Sequence, residues 1–455
     1  MTPNADIITA VEQLDRTVTV GDVAVQTGLN IQTVENDLLF LAAESGAHLQ
    51  VSDIGDVVYR FPNNLNGLLQ QKYWQLKAKA LLKQLWTTLF FIIRISVGLL
   101  LIASIVLVTL AIAIVVIGAQ FSSQSDSDRD RRSSGPSVFI SGYQLNILLQ
   151  SLFAVFDYRY RPYERYGRYE GSRSERRQQR EKPSLNWLEA IFSFFFGDGN
   201  PNANLEEERW HRIGQVIRQQ QGAIAAEHIA PFLDDIERDI QLEEEDYVLP
   251  VLTRFNGRPQ VTDSGNLVYQ FPELQVTVGD NDNRRFRASE SSSPINAYLA
   301  ETPWRFSKAT GGQMVLAGGL GIANIFGVIW LGLLPDVSAD TGLYAIYQFA
   351  SHIYIFLLAY ALLLATTPVV RFVTLQKRNQ GIKKRNQARR ERSRLLSQPS
   401  ASLRQKLQEA QQFAHQSQLT ENDIAYTTER RLTEQELEQS DKIDQEWLRR
   451  LDGES

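Results

Sequence analysis

The segment QVSDIGDVVYRFP at residues 50–62 is repeated as QVTDSGNLVYQFP at residues 260–272, and eight of the thirteen positions are identical. Each copy contains an alternating apolar strand, a glycine turn, a second strand and a terminating proline, which is the pattern of a β-hairpin. Three segments with helical periodicity precede each hairpin, and this order is typical of a winged-helix domain. The repeat therefore predicts two winged-helix domains, at residues 1–64 and 205–275.

Periodicity and capping residues place three helices before each hairpin. In the first copy the helices are predicted at residues 7–14, 19–27 and 31–43. Gly28 is expected to end the second of them and Asn30 to cap the third. In the second copy the helices are predicted at residues 210–220, 226–233 and 243–255.

Winged helices commonly bind DNA, so the charge of these two domains bears directly on function. Residues 1–62 carry nine acidic and two basic residues, and residues 205–275 carry fourteen acidic and six basic residues. The presumed recognition helix contains Glu35 and Asp37 and no basic residue. Phosphate contacts supply most non-specific DNA affinity, and an acidic surface repels the DNA backbone. We therefore expect both domains to bind partner proteins rather than nucleic acid.

The candidate interaction residues combine acidic and aromatic side chains. They are Glu35, Asp37, Tyr59, Phe61, Tyr269 and Phe271.

Three apolar stretches interrupt this soluble-looking chain. Residues 95–117 carry no charge over more than the roughly 20 residues that cross a bilayer. Residues 311–375 contain two further apolar stretches around a short acidic turn, which predicts a transmembrane helical hairpin. Arg94, Asn324 and His352 are candidate intramembrane polar residues, and hydrogen bonding between helices is the alternative to a functional role for them. The fold class predicted is a mainly α integral membrane protein with two α+β winged-helix domains.

Small residues in the second apolar stretch suggest close helix packing. Gly319, Ala323 and Gly327 recur every four residues and so share one helical face. This spacing predicts that a neighbouring backbone approaches that face.

Basic residues predict the orientation of the spans. Four lysines and no acidic residue lie between positions 72 and 83, just before the first span, and ten basic residues against Glu391 lie between positions 371 and 394. The N- and C-terminal regions are therefore both expected on the cytoplasmic side. Three crossings cannot achieve this, so either residues 137–156 cross back or the long first segment re-enters. The number of crossings stays open.

The remaining regions are assigned by composition. Arginine and tyrosine alternate within residues 121–204, which suits an interfacial belt on anionic membrane lipids, with stacking on RNA bases as the alternative. Leu403, Leu407 and Ala410 share a helical face in the tail, which either binds a partner or belongs to a solvated segment. The predicted division is 1–64 first winged helix, 65–120 basic helix and first span, 121–204 interfacial region, 205–275 second winged helix, 276–310 linker, 311–375 transmembrane hairpin and 376–455 charged helical tail.

The sequence excludes several kinds of chemistry. It contains no cysteine and only five scattered histidines, and no nucleotide, metal or nucleophile motif occurs in it. Without cysteine there are no disulfides, thiolate nucleophiles or cysteine-ligated iron–sulfur clusters. We therefore predict a protein that is not an enzyme, with no catalytic residues, no cofactor and no metal site.

Four motifs spread over the chain carry a family resemblance: IASIVLV at residues 102–108, FFFGDGNPN at 194–202, LPVLTRFNGRP at 249–259 and AYTTE at 425–429. The chain resembles a family of membrane proteins of cyanobacteria and plant chloroplasts, some of which are labelled iron–sulfur cluster biosynthesis proteins. The resemblance implies a thylakoid or plasma-membrane location, here in a cyanobacterium. Because the chain has no cysteine, we do not carry the iron–sulfur label over as chemistry.

These observations together predict a membrane-anchored adaptor. Two acidic winged helices would dock partner proteins, during assembly or maintenance of photosynthetic membrane complexes. The first alternative is a membrane-tethered DNA-binding transcription regulator, and the second is a transporter or channel component.

Overall fold

The computed structural model describes residues 4–72, 74–122, 186–234, 245–278, 298–334, 344–420, 423–431 and 433–437, together with residues 440 and 447. Helices dominate this part of the chain. Three of them are long and apolar enough to cross a membrane. The chain forms two compact units. The head unit comprises residues 1–85, 200–303 and 378–455, and the membrane unit comprises residues 86–199 and 304–377.

The first module of the head unit, residues 4–62, has the order helix, strand, helix, helix, hairpin. Its elements are α1 (Ala5–Gln13), β1 (Thr17–Val18), α2 (Val20–Thr27), α3 (Ile31–Ser45), β2 (His48–Ser52) and β3 (Val57–Arg60). Thr19 and Asp22 form a capping box on α2, Gly28 ends that helix with φ of 67°, and the Asn30 side chain caps α3. The three predicted helices, the stop at Gly28 and the cap at Asn30 are confirmed.

The second module, residues 205–278, follows a similar order. Its elements are α7 (Leu205–Gln219), β4 (Ala223–Ile224), α8 (Ala226–Ile229), α9 (Leu249–Phe255), β5 (Arg258–Val261), β6 (Leu267–Gln270), α10 (Pro272–Gln275) and β7 (Val276–Val278). The hairpins share one register, because β2 pairs Gln50 with Val58 while β5 pairs Gln260 with Val268. Both predicted hairpins are therefore present. The helix expected from residue 243 starts as a 3₁₀ turn at Asp246–Val248 and becomes α9 at Leu249.

The C-terminal elements complete the head unit. Helix α14 (Ala401–Gln412) contacts β4 and β6, β8 (Ser417–Leu419) runs parallel to β7, and β9 (Ile424–Thr427) is antiparallel to β2. The first sheet consequently has the order β1-β3-β2-β9, while the second has β4-β6-β5. We call residues 398–437 the tail. Its described elements α14, β8 and β9 pack against the two modules, which differs from the alternative of a solvated segment.

The membrane unit contains the three apolar helices and a short aromatic one. Its helices are α5 (Trp74–Ser122), which begins in the head unit after α4 (Leu65–Lys72), then α6 (Trp187–Phe196), α11 (Gly311–Leu333), α12 (Tyr344–His352) and α13 (Tyr354–Ser397), which ends in the head unit. The third span was predicted as one apolar stretch, but the helix is interrupted at Ile353 between α12 and α13.

The glycine stripe of α11 is used differently from the prediction. A Cβ placed on Gly318 or Gly321 would contact the rings of Phe194 and Phe195 from α6, and one on Gly327 would contact Val108 of α5. A Cβ on Gly319 would meet nothing within 4 Å. The predicted close approach of a backbone is therefore not observed at either position, because Gly327 has a side-chain neighbour and Gly319 has none. The close neighbours at the other two glycines are aromatic rings rather than a helix backbone.

Candidate interaction site: the two modules and the tail

The two modules share one hydrophobic core, in which α2 packs against α7. A Cβ on Gly28 would lie 2.9 Å from Cβ of Trp210, so only glycine fits this crossing. On the same two helices, Asp22 of α2 and Arg218 of α7 form an ion pair at 2.8 Å, with side chains 1% and 8% exposed. Removing one partner of such a pair leaves a buried charge uncompensated. The two modules therefore fold as one body.

Polar contacts tie the N-terminal end of α3 to the C-terminal end of α9. The side-chain amide of Asn30 donates through Nδ2 to the carbonyl of Thr253 at 3.1 Å, and Arg254 Nε donates to the carbonyl of Gly28 at 2.6 Å. The Arg254 guanidinium also lies over the Trp210 ring, 4.3 Å from its centroid. Arg254, a basic residue on α9, is thus occupied by internal contacts.

The aromatic residues predicted to contact partners belong to the core instead. Tyr59, Phe61, Tyr269 and Phe271 are all buried. The Tyr269 hydroxyl donates to Glu245 at 2.6 Å, and its pKa is raised by burial and by that carboxylate. Strand alternation correctly groups residues that share a face, but it does not say which face is covered. As surface contacts, these four predictions are wrong.

The acidic pair of α3 is only partly accessible. Glu35 is half-buried, whereas Asp37 is buried and its pKa is raised by desolvation. The residues of α3 that face solvent are Gln32, Thr33, Asn36, Leu39 and Ala43. The exposed face of α3 is therefore uncharged, with one large apolar side chain.

The tail contacts the second module through a buried lysine. Leu403 and Ala410 of α14 are buried, and between them Lys406 Nζ lies 2.9 Å from Glu227 and also bonds to Glu245. The lysine thus neutralises two carboxylates that are themselves largely buried. The predicted apolar face of this helix exists, and it binds the chain's own second module.

A second tail residue, Glu409, binds the turn of the second hairpin. Its carboxylate accepts hydrogen bonds from Thr262 Oγ1 at 2.6 Å, from Ser264 Oγ at 2.6 and 2.7 Å, and from Asn266 Nδ2 at 2.9 Å. These donors lower the pKa of Glu409 to about 2. Hydrogen bonds to the charged form lower a carboxyl pKa in this way.

The tail then adds strand β9 to the edge of the first hairpin. Thr427 is the register partner of Gln50, and Tyr426 is the partner of Val51. One residue further, the Leu49 amide donates to Thr428 Oγ1 at 2.9 Å while the Thr428 amide donates to the Leu49 carbonyl at 3.0 Å. The tail therefore forms hydrogen bonds with backbone groups of this hairpin.

The basic segment of α13 supplies further cations to the head unit. Arg389 is 1% exposed and bonds to Asp234 Oδ1 through Nε at 2.8 Å, to the Leu299 carbonyl at 2.7 Å and to Glu301 at 3.0 Å. Arg385 makes a two-pronged contact with Glu301 at 2.6 and 2.7 Å, which is the main reason that the pKa of Glu301 is lowered. Part of the basic run that predicted orientation therefore forms buried ion pairs.

Polar residues of the membrane unit gather at the C-terminal end of α6. Arg94 lies 3.9 Å from Asp198, and its guanidinium packs against Phe192. Ser193 Oγ donates to Asp198 at 2.7 Å. Arg371 donates to the carbonyl of Phe194 at 2.6 Å, which satisfies an otherwise orphaned helix end.

The other two candidate intramembrane residues, Asn324 and His352, have uncharged hydrogen-bond partners. Asn324 is buried and accepts a hydrogen bond from Ser104 Oγ at 2.8 Å, which joins α11 to α5. His352 is exposed, and its Nδ1 lies 2.6 Å from the Gln348 carbonyl. Arg94, Asn324 and His352 therefore have separate partners. Asn324 fits the structural alternative of helix-to-helix hydrogen bonding.

Among the residues that the structure describes, no group of three or more histidine, aspartate and glutamate side chains could hold a metal ion. The tail, both hairpins and the basic segment of α13 make up the most extensive polar contact system of the head unit. We therefore take this system, together with the exposed face of α3, as the candidate interaction site.

The chain is similar to a known plant protein. An uncharacterised chloroplastic protein of Arabidopsis thaliana is 35% identical over 446 residues, which cover 97% of this chain and 81% of the relative. No family model matches the chain, and no solved structure matches it.

Proposed function

The chain belongs to the family of this chloroplastic protein of Arabidopsis thaliana, and on that premise we propose that it is a non-enzymatic, membrane-anchored adaptor that binds partner proteins. Two winged-helix modules supply its binding surfaces. Its place is the thylakoid membrane, or in a cyanobacterium the thylakoid or plasma membrane, where it would serve the assembly or maintenance of photosynthetic complexes.

The winged-helix assignment draws on element order and on pairing. In the first module a short strand after the first helix pairs with the second strand of the hairpin, so that β3 lies between β1 and β2. In the second module β6 lies in the same way between β4 and β5. These features support a duplicated winged helix.

The exposed face of α3 is the observation that carries the adaptor proposal. Gln32, Asn36 and Leu39 face solvent there, and the helix contains no lysine or arginine. On α9, Arg254 is held by Gly28 and Trp210. DNA binding needs cations aimed at phosphates, whereas a polar face around one large apolar residue suits a protein partner.

The arrangement within each unit supports a topology with both termini on one side. The head unit contains segments that precede the first span, lie between spans and follow the last one. In the membrane unit, Arg94 contacts Asp198, Ser307 contacts Ser193, and Arg371 contacts Phe306. The start of the first span, the start of the second and the end of the third thus share one end. Residues 137–156, which the sequence allows to cross the membrane, lie outside the described residues.

Site-specific cross-linking tests the proposal, because the chain has no cysteine of its own. Asn36→Cys places a photoreactive thiol reagent on the exposed face of α3, and Thr9→Cys does the same on the exposed side of α1. In native membranes we expect adducts with a defined protein from position 36 only, and Leu39→Asp should abolish them. Equal adducts from both positions would contradict the adaptor proposal.

Two further measurements separate the alternatives. Full-length protein that binds duplex DNA with a steep salt dependence would favour the transcription regulator. Impermeant thiol reagents should label Asn36→Cys, Thr302→Cys and Gln387→Cys from the same side of sealed vesicles, since all three are exposed residues of the head unit. Labelling from opposite sides would refute the topology.

A further inference from the structure

The differences between the two hairpins coincide with contacts to the tail. Five of the thirteen aligned positions differ: Ser52 and Thr262, Ile54 and Ser264, Asp56 and Asn266, Val57 and Leu267, and Arg60 and Gln270. Three of these positions bind Glu409 in the second hairpin, through Thr262, Ser264 and Asn266. A fourth binds the tail in the first hairpin, where Arg60 lies 3.9 Å from Glu429.

The turn of the second hairpin is built to hold a carboxylate. It presents two hydroxyls and one amide to Glu409, and each of these groups donates a hydrogen bond. The first hairpin has Ile54 and Asp56 at the positions of Ser264 and Asn266. An isoleucine offers no donor, and an aspartate would repel a glutamate. The first turn therefore cannot hold Glu409 in the same way.

The edge of the first hairpin is built to accept a strand. Leu49 exchanges two hydrogen bonds with Thr428, one through its amide and one through its carbonyl. The aligned residue of the second hairpin is Pro259, and the two hairpins share one register. Proline has no amide hydrogen, so it blocks strand addition at this position. Val261 on this edge is 67% exposed, and the described residues include no strand paired with it on that side.

We propose that the turn of the second hairpin is a carboxylate-binding site, that the edge of the first hairpin is a strand-binding site, and that together they select the tail in one orientation. The ligand is a helix that bears an acidic side chain, followed by an extended segment whose threonine lies opposite Leu49. In this chain the ligand is its own tail. The proposal concerns contacts within the head unit and does not depend on the adaptor function.

Disulfide trapping tests the strand-binding site in the full-length protein. Thr427→Cys is combined either with Gln50→Cys or with Gln260→Cys. Gln50 and Gln260 occupy equivalent positions in the two hairpins. Directly opposed residues in an antiparallel pair lie within disulfide range. We expect a cross-link with position 50 and at least roughly tenfold less with position 260, since the second edge lacks the hydrogen bonds that hold β9. Equal cross-linking at both positions would overturn the assignment.

The role of Pro259 is tested by supplying the strand in trans. A peptide of residues 420–429 with cysteine in place of Thr427 is offered to full-length Gln260→Cys protein, whose own β9 remains on the first edge. With Pro259 present we expect little capture, and with Pro259→Leu roughly tenfold more. Unchanged capture would show that Pro259 does not select the edge.

The carboxylate site is tested through the accessibility of α14. Leu403 is buried under this helix, so Leu403→Cys should react slowly with a thiol reagent. Glu409→Gln should raise the rate about tenfold, because an amide places a donor against donors. Glu436→Gln, at an exposed glutamate of the tail, is the matched control. The cross-link between positions 50 and 427 reports that the head unit is folded in each variant. Equal rates for the two glutamate variants would refute the carboxylate site.

Discussion

Arg389 provides the sharpest test of how the head unit is held together. This side chain is 1% exposed, and its neighbour Arg390 on the same helix faces solvent. Arg389 bonds to Asp234, to Glu301 and to the Leu299 carbonyl. Replacing Arg389 by methionine keeps much of the side-chain volume and removes every one of these polar contacts.

The expected cost follows from the charges left behind. Glu301 keeps its contact with Arg385, and Asp234 keeps its contact with Arg209, so neither carboxylate becomes wholly unpaired. Removing one partner from a buried ion pair costs about 3–5 kcal/mol, and the retained contacts argue for the lower end of that range. Arg390→Gln is a surface change and should stay within about 0.5 kcal/mol. Arg389→Lys should fall between the two, because lysine lacks the planar fork that reaches two carboxylates.

Hydrogen exchange on detergent-solubilised full-length protein measures the effect. Arg389→Met should speed amide exchange at Leu299 and Glu301 and along the second half of α13, and the apparent unfolding temperature should fall. Arg390→Gln should leave both unchanged. The reasoning is refuted if the two variants behave alike, since an exposed arginine and a buried one would then contribute equally.

Three further perturbations have defined outcomes. Burial lowers the pKa of His228 to about 4, so its contribution to stability is complete above about pH 6.5 and is lost as the pH falls towards 4. The loss of unfolding free energy amounts to about 3 kcal/mol. In denaturation at pH 7, 5.5 and 4.5, the unfolding free energy of His228→Gln should therefore depend less on pH than that of the native protein. Asn324→Leu and Ser104→Ala should each destabilise the membrane unit, and the double variant should reveal a coupling of about 1 kcal/mol in a bicelle unfolding assay. Gly21→Ala would push a Cβ into a backbone carbonyl of the second module, which should cost about 1–3 kcal/mol in urea denaturation, whereas Gly312→Ala meets no neighbour and should be neutral.

Local features of the fold follow directly from sequence. The stop at Gly28 and the cap at Asn30 depend only on residues within one turn, and so do the two hairpins. The side chains that the hairpins bury do not follow, because alternation gives two equivalent faces and the choice between them is made by distant segments. Tyr59 and Phe271 were therefore placed on the surface when they belong to the core.

The tail contacts could not be predicted because they join residues far apart in the chain. Leu49 and Thr428 are separated by 379 positions, and neither has a pattern that points to the other. One signal was nevertheless available. The first hairpin has Ile54 where the second has Ser264, and Leu49 where the second has Pro259. These two differences determine which part of the tail each hairpin can bind. Comparing the copies for their differences would have indicated two separate ligands.

The order of segments along the chain gives the tail a consequence for folding. The first module, the second module and the tail are separated by the apolar helices, yet they share one compact unit. Until the residues after the last span are available, Glu227 and Glu245 lack Lys406, and Asp234 lacks Arg389. Removing the cation from a buried ion pair is costly, so the second module should be more stable with the tail than without it. The contacts of Lys406 and Arg389 with the second module therefore form only when the residues after the last span have joined it.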